Sequence, residues 1–181
     1  KRTEFVLESV RFNSSAMDFA PSIYKDGQIV FTSDRSIDSE EETYNWTGRA
    51  FSDLFVVDAD KGAVQSFDAV FNTNYNDGTI SFNADYTEAY FSRCGEDNKD
   101  GKTNYCKLMF SKFENGQWSK PVPLKEIMIA NTNYAQPALS TDGNTLYFAT
   151  DILDGYGGFD IYYSRKMAGG AWDLAENLGS Q

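Results

Sequence analysis

Three stretches of this 181-residue chain share one pattern of residues, and this repeat restricts the possible folds more than any other feature of the sequence. Each stretch has a polar turn followed by a strand-like run with a central aromatic ring, namely Phe31, Phe91 and Phe148. These rings lie 60 and 57 residues apart. A second strand-like run follows each one, with matching apolar residues at Leu54, Leu108 and Ile161. The chain is therefore expected to fold as several copies of one structural unit.

Two further coincidences extend the repeat. Trp118 and Trp172 lie 54 residues apart, each after a turn that contains glycine. The segment Asn72-Thr73-Asn74-Tyr75 recurs word for word at residues 131–134. This recurrence predicts that Tyr75 and Tyr134 occupy matching positions in neighbouring units.

Each unit reads as four short strands joined by turns. One such meander cannot bury its apolar faces alone, so neighbouring units must stack around an axis. The prediction is an all-β fold, a β-propeller of four-stranded antiparallel blades. About three blades are present, as part of a larger propeller, because stable propellers have about 4 to 8 blades. An open antiparallel sheet or a sandwich built from the same hairpins is the alternative.

The repeat also predicts how this single propeller region is divided. Residues 1–19 are expected to supply one or more strands of a preceding or closing blade. The three blades are expected at 20–71, 72–130 and 131–181.

The composition supports strands and excludes several functions. Aromatic residues number 14 Phe, 11 Tyr and 3 Trp, and rings pack well on a pleated surface. Since the chain has no histidine, Ser-His-Asp catalysis, Cys-His catalysis and imidazole zinc ligands are excluded. The formal net charge of −11 argues against nucleic-acid binding, which depends on Lys and Arg. No apolar run approaches the roughly 20 residues that cross a bilayer, and no secretory signal is recognisable at the start.

The third repeat carries a family resemblance. Residues 137–151 and 155–164, followed by Trp172 and Asn177-Leu178-Gly179, resemble the PD40 (WD40-like, TolB-type) propeller repeat. Residues 45–54 resemble the first propeller segment of OmpA-family cell-envelope proteins of Bacteroidetes, a group that includes the peptidoglycan-associated subunit of the type IX secretion system. The resemblance implies a periplasmic place at the outer membrane or cell envelope, and partners among other envelope or secretion-system proteins. Peptidoglycan contact would need the family's OmpA-like module, which has no counterpart in this sequence.

Loops of unequal length gather on one face of the predicted propeller. The connections between the second and third strands of each blade, 35–51, 95–105 and 152–158, emerge there together with the Asn-Thr-Asn-Tyr segments. Rings would supply contact area to a protein partner and charges would steer it. The candidate partner-binding residues are Glu41, Glu42, Tyr44, Trp46, Arg49, Tyr75, Tyr134, Asp154 and Tyr156. In the alternative interpretation, Tyr44 and Trp46 fold their loop back onto its blade. For the repeated tyrosines Tyr75 and Tyr134, packing is the favoured interpretation, because a residue repeated in every blade usually serves packing.

Two cysteines flank the second of these loops. Cys94 and Cys106 align with Asp151 and Phe159, which bracket the loop of the third blade, so their side chains are expected to lie within reach of a disulfide. An oxidising periplasm favours the disulfide, and two free buried thiols are the alternative.

The same loop contains a partial calcium motif. Glu96, Asn98 and Asp100 have the alternate spacing of oxygen ligands at the start of a calcium loop. Lys107 stands where the closing acidic ligand is expected, so an Asp/Asn/Gly-rich turn explains the segment better and no cofactor is predicted.

These features leave two classes of function. The favoured class is a non-catalytic protein-protein interaction platform that binds through the loops of one face. The alternative is a carbohydrate-binding or glycoside-processing propeller, in which carboxylates such as Asp151 and Asp154 act on a sugar stacked against Trp46 or Tyr156. Glycosidases need two carboxyl groups roughly 5 to 9.5 Å apart across a cleft.

Overall fold

The computed structural model describes residues 6–36, 43–44, 47–95, 105–153 and 155–180. These residues form three antiparallel sheets, here called blades 1, 2 and 3. Blade 1 contains β1 (Asp18–Ile23), β2 (Gln28–Ser33), β5 (Asp53–Asp58) and β6 (Val64–Ser66). The short hairpin of β3 (Thr43–Tyr44) and β4 (Arg49–Ala50) lies between β2 and β5.

Blades 2 and 3 repeat this order. Blade 2 contains β7 (Asn76–Phe82), β8 (Glu88–Cys94), β9 (Cys106–Glu114), β10 (Gln117–Trp118) and β11 (Val122–Pro123). Both β10 and β11 pair with β9. Blade 3 contains β12 (Tyr134–Leu139), β13 (Thr145–Thr150), β14 (Asp160–Arg165) and β15 (Glu176–Asn177). One short 3-10 turn, Lys25–Gly27, joins β1 to β2.

Strand register confirms the repeat read from the aromatic rings. The three central rings occupy the second strand of their blades and pair with the third strand in the same way: Phe31 with Phe55, Phe91 with Met109, and Phe148 with Tyr162. Trp118 and Trp172 each lie opposite the end of a third strand, across a tight turn. These pairings define which residues are equivalent between blades.

Neighbouring blades pack face to face through one apolar cluster each. Val30 and Leu54, on the side of blade 1 that faces blade 2, pack against Phe91 and Met109 of blade 2. Phe71, in the connection between these blades, is fully buried in the same cluster. Between blades 2 and 3, an equivalent cluster is formed by Tyr90, Leu108, Leu124, Ile127, Phe148 and Tyr162. Alternation along each strand therefore gives blade 2, which lies between the other two blades, two buried sides, as stacking around an axis requires.

The first strand of each blade carries a bulge at the same place. Ala20, Thr79 and Gln136 have φ values of 51°, 47° and 54°, and the pairing register shifts beside each one. The bulge turns a backbone N–H towards the preceding blade: Thr79 donates to Thr32 Oγ1 at 2.8 Å, and Gln136 donates to Ser92 Oγ at 3.0 Å. Thr32 and Ser92 are equivalent residues, so the same hydrogen bond links both pairs of blades.

The segment before blade 1 is irregular in its described part. Residues 6–17 form no strand. Phe12 instead lies against Phe31 with ring centroids 5.7 Å apart, as Phe71 lies against Phe91 at 5.2 Å. Residues 6–17 therefore pack like a connection between blades, and β1 begins at Asp18, two residues before the predicted start of the first blade.

Candidate functional site at the loop face

The candidate site is the end of the blades at which the second strands finish and the third strands begin; we call it the loop face. The connections that emerge there are residues 34–52, 95–105 and 151–159. Glu41, Glu42, Trp46, Asp154, Glu96, Asn98 and Asp100 fall outside the described residues, so their predicted roles, calcium binding included, stay predictions.

Tyr44 and Arg49 form the base of the first loop. They pair across the β3–β4 hairpin, whose turn places Gly48 at φ 68° and lets its N–H donate to the Tyr44 carbonyl at 2.8 Å. The Tyr44 ring packs on Phe51 with centroids 5.2 Å apart, so this ring supports the loop. Arg49 is half exposed and reaches the buried Asp34 carboxylate at 3.5 Å.

A second arginine, Arg35, holds the start of the same loop. Arg35 donates to Asp18 Oδ1 at 2.6 Å and to the Phe12 carbonyl at 3.1 Å, while its guanidinium lies over the Phe31 ring. Burial alone would raise the pKa of Asp18, but hydrogen bonds from Arg35 and two serines outweigh it and lower that pKa to about 2. The carboxylate is thus charged and paired at neutral pH.

The prediction for Tyr134 as an exposed contact residue is wrong. Its side chain is fully buried, its ring lies 5.7 Å from that of Phe148, and its hydroxyl accepts a hydrogen bond from the Ile129 N–H at 3.0 Å. Burial raises the pKa of this phenol. Tyr75 is half-buried. The alternative of packing therefore holds for Tyr134.

A shift in register explains the error. Asn76 pairs with Cys94 and Tyr134 with Thr150, so Asn133 is the equivalent of Asn76, whereas the literal repeat aligns it with Asn74. The two asparagines accept equivalent hydrogen bonds from the preceding blade: Asn76 from the Ser52 N–H at 3.1 Å, and Asn133 from the Cys106 N–H at 3.0 Å. Their spacing is 57 residues, the spacing of the central rings, whereas the literal repeat has a spacing of 59. The sequence analysis missed this pair, and the ring spacing was the signal that could have found it.

The second loop is closed by a disulfide. Cys94 and Cys106 are paired across β8 and β9, with Cα atoms 4.0 Å apart and an S–S bond of 2.06 Å. The chain's two cysteines are therefore both oxidised, and no thiol remains for catalysis.

Removing this disulfide gives a direct test of its contribution. Closing a loop of this length restricts the unfolded chain, so Cys94→Ser/Cys106→Ser is expected to lower the free energy of unfolding by about 2 to 3 kcal/mol. Urea unfolding with and without reductant measures the effect. The wild type should lose the same amount in reductant while the double variant should not respond; a reductant effect of equal size on both proteins would contradict the prediction.

The third loop presents aromatic side chains outward. Asp160 Oδ2 accepts the backbone N–H groups of Tyr156 and Gly157 at 2.5 and 3.2 Å, and a side chain at Gly155 would collide with this carboxylate. The loop therefore wraps tightly around Asp160, and Tyr156 and Phe159 remain 69% and 57% exposed. Among the predicted contact residues that the structure describes, Tyr156 is the most exposed ring.

Two cavities open near this face. One, of about 180 Å³, lies between the first strands of the blades and includes Asn76, Asp77 and Gln136 in its lining. The other, of about 490 Å³, lies beside blade 1 and includes Asp34, Arg35 and Arg49. The smaller cavity has one acidic residue in its described lining, Asp77, and the larger cavity has one, Asp34. Asp77 forms an ion pair with Arg93, and Asp34 forms one with Arg49.

Asp151, named above for glycoside chemistry, has a structural role. Its two oxygens accept hydrogen bonds from the backbone and the side chain of Asn133, both at 2.7 Å. The carboxylate thereby ties the connection before blade 3 to the end of β13. In the described residues, no group of three or more acidic or cysteine side chains is arranged to hold a metal ion, and no helix is long and apolar enough to cross a membrane.

Comparison with solved structures identifies the architecture. The chain superposes on TolB from Acinetobacter baumannii with a TM-score of 0.51 and 13% identity, over 90% of this chain and 32% of that one. The fold is that of a β-propeller. A Mycobacterium tuberculosis puromycin-hydrolyzing peptidase matches with a TM-score of 0.52 and 11% identity, over 92% of this chain and 22% of that one.

A third structure, a protein of unknown function from Dyadobacter fermentans, matches with a TM-score of 0.52 and 13% identity, over 89% of this chain and 50% of that one. The propeller segment therefore spans between about a fifth and a half of these proteins. No protein-family model and no curated protein sequence matches the chain.

Proposed function

We propose that this propeller segment is a non-catalytic protein-protein interaction platform, and that it binds its partner through the loop face. The observation that carries the proposal is the contrast between rigid loop bases and exposed loop tips. Arg35, Asn133 and the Cys94–Cys106 disulfide hold the bases, while Tyr156 and Phe159 point outward. Rings on a pre-organised scaffold bind with little loss of conformational entropy.

The cavities support this proposal over chemistry on a small molecule. The cavity between the first strands has a volume of about 180 Å³, which is below the roughly 300 to 1,000 Å³ of ordinary ligand pockets. The larger cavity has the size of a ligand pocket, but its described acid, Asp34, is bonded to Arg49 and to a backbone N–H. Glycoside hydrolysis needs two carboxyl groups that face each other across a cleft, and each described lining contains one acidic residue.

Charge and cysteine chemistry indicate the kind of partner and compartment. A net charge of −11 favours a partner with a basic surface, because complementary charge raises the rate of association. A disulfide persists in oxidising compartments, which supports a periplasmic place. Together with the resemblance to OmpA-family proteins, these features support a role in a bacterial cell-envelope or secretion complex.

Site-specific cross-linking tests the loop face. A photoreactive residue at Tyr156 is expected to capture a partner from an envelope extract of the source cells, and Phe159→Ala in the same protein should reduce the yield several-fold, because it removes an exposed ring from the same loop. The matched control carries the photoreactive residue at Met167, a half-exposed apolar residue in a turn at the opposite end of blade 3. Equal yields from both positions would contradict the proposal, and so would a sugar retained by the face in place of a protein.

A further inference from the structure

Asp34 and Asp151 occupy equivalent positions in blades 1 and 3. Each residue directly follows the second strand of its blade, β2 or β13. Each accepts on its Oδ1, at 2.7 Å, the backbone N–H of the residue that precedes the first strand: Met17 donates to Asp34, and Asn133 donates to Asp151. The same kind of carboxylate therefore holds the same connection in both blades.

The second oxygen of these two carboxylates differs between the blades. Asp151 Oδ2 accepts the side-chain amide of Asn133 at 2.7 Å. The equivalent residue in blade 1 is Met17, whose side chain has no N–H group. In the described part of the chain, Asp34 Oδ2 is buried and has no hydrogen-bond partner. Because a buried oxygen without a donor is unfavourable, blade 1 lacks a donor that blade 3 supplies from its own chain.

Asp34 lines the cavity of about 490 Å³ beside blade 1, together with Ser14, Arg35 and Arg49. This volume lies within the range of roughly 300 to 1,000 Å³ of ordinary ligand pockets. Arg35 is paired with Asp18 at 2.6 Å. Arg49 reaches Asp34 Oδ1 only at 3.5 Å, which is longer than the roughly 2.7 to 2.9 Å of a charge-assisted hydrogen bond. Asp34 therefore does not satisfy the Arg49 guanidinium, whose side chain is 48% exposed.

We propose that this cavity binds a ligand that carries an N–H donor and a carboxylate on the same carbon atom. The N–H donates to Asp34 Oδ2, in the role that the Asn133 amide has in blade 3, and the carboxylate pairs with Arg49. Arg49 moves from Asp34 towards the ligand, which opens the buried oxygen to the ligand's N–H. Both a free α-amino acid and the C-terminal residue of a polypeptide have this chemistry. Binding in this cavity needs no contact with Tyr156 or Phe159, so it is independent of the loop-face proposal.

The charges of the cavity favour such a ligand over a simple ion. A metal cation would be repelled by Arg35 and Arg49, and a simple anion would be repelled by the carboxylate of Asp34. A ligand with a donor and a carboxylate side by side satisfies both kinds of charge. Arginine also matches a carboxylate in a planar geometry with two parallel hydrogen bonds.

Isothermal titration calorimetry on the 181-residue chain tests the ligand class with four probes: L-alanine, N-acetyl-alanyl-alanine and the C-terminal amide of each. At least one of the two carboxylates is expected to bind, and its amide should bind about tenfold more weakly or less, because the amide has no negative charge for Arg49. Binding of L-alanine alone assigns the cavity to free amino acids, and binding of the acetylated dipeptide assigns it to chain ends. Absence of binding by both carboxylates, or equal binding of the matching amide, would overturn the inference.

Met17→Asn is the most direct variant, because it recreates in blade 1 the donor that Asn133 supplies in blade 3. The new amide should occupy Asp34 Oδ2 and lower the affinity for the probe at least about fivefold. Arg49→Gln should lower it about tenfold, because it removes the charge that pairs with the carboxylate.

The control variant is Arg165→Gln, which removes an exposed arginine over the Tyr163 ring of blade 3 and should leave the affinity unchanged. Far-ultraviolet circular dichroism checks that all variants are folded. Unchanged affinity in either Met17→Asn or Arg49→Gln would overturn the inference, and so would an equal loss in Arg165→Gln, because each result places the ligand outside this cavity.

Discussion

Replacing Asp77 by alanine is expected to lower the free energy of unfolding by about 3 to 5 kcal/mol. Asp77 is fully buried in β7, and Arg93 of β8 donates to its Oδ1 at 2.5 Å while Thr73 donates to its Oδ2 at 2.6 Å. Arg93 also donates to the Phe71 carbonyl at 3.0 Å, so it is held in place when the carboxylate is lost. The variant therefore leaves a positive charge buried without its counter-charge.

Urea unfolding followed by tryptophan fluorescence measures this loss. The control is Lys61→Ala, which removes an exposed ion pair with Asp58 in the turn between β5 and β6 and should leave stability unchanged. A loss below about 1 kcal/mol for Asp77→Ala would show that Arg93 finds water or another partner, and would contradict the prediction.

The pH dependence of stability gives the second measurement on Asp77. Burial raises the pKa of this carboxyl to about 6, despite the opposing charge of Arg93 and the hydrogen bond from Thr73. In the unfolded chain the pKa is near 3.8. The folded state therefore holds the proton more tightly between these values, and the contribution of Asp77 to the free energy of unfolding falls as the pH rises from 4 to 6.

Asp77→Asn cannot titrate, so the stability difference between it and the wild type should change across this pH window. A difference that stays constant from pH 4 to pH 7 would contradict the raised pKa. Asp18 acts in the opposite sense and at lower pH, because its pKa is lowered to about 2 and its contribution is lost as the pH falls from 4 towards 2. The titrations of Asp77 and Asp18 can therefore be distinguished, because they change the free energy of unfolding in opposite directions and over different pH ranges.

The sequence predicts the blades well because their signal is repeated packing. The central rings and the apolar residues of the third strands recur at positions that every blade must bury, and the structure pairs them in the same register. The literal Asn-Thr-Asn-Tyr repeat is misleading because it lies in the connections, where chain length varies and the same four letters can fall two residues out of register. Tyr134 is buried for this reason, as the equivalent of Asp77 rather than of Tyr75.

Other features need coordinates. Positive φ at Ala20, Thr79 and Gln136 has no signal in the sequence, because none of the three is glycine. The bulge hydrogen bonds to Thr32 and Ser92 depend on that backbone conformation, so they were not predictable either. At the loop face, the sequence predicted the exposed ring of Tyr156 but not the hydrogen bonds and ion pairs that hold the loops. Those contacts depend on which carboxylate each arginine or asparagine reaches in the folded chain.

Phe71→Ala is expected to lower the free energy of unfolding by about 3 to 5 kcal/mol, because it opens a cavity between two blades. Phe71 is fully buried, and its ring lies 5.2 Å from that of Phe91 and 5.4 Å from that of Trp118. Phe71 lies in the connection between β6 and β7, outside both sheets, so its side-chain packing is what holds this connection against the blades. Urea unfolding monitored by circular dichroism measures the change.

Phe159→Ala is the matched control, since it removes the same side chain from an exposed loop and should change stability by no more than about 0.5 kcal/mol. Phe71→Leu should lie between the control and Phe71→Ala, because it fills part of the cavity. Equal losses for Phe71→Ala and Phe159→Ala would mean that the connection does not carry the contact between blades 1 and 2. The graded series would instead establish that residues outside the sheets hold neighbouring blades together.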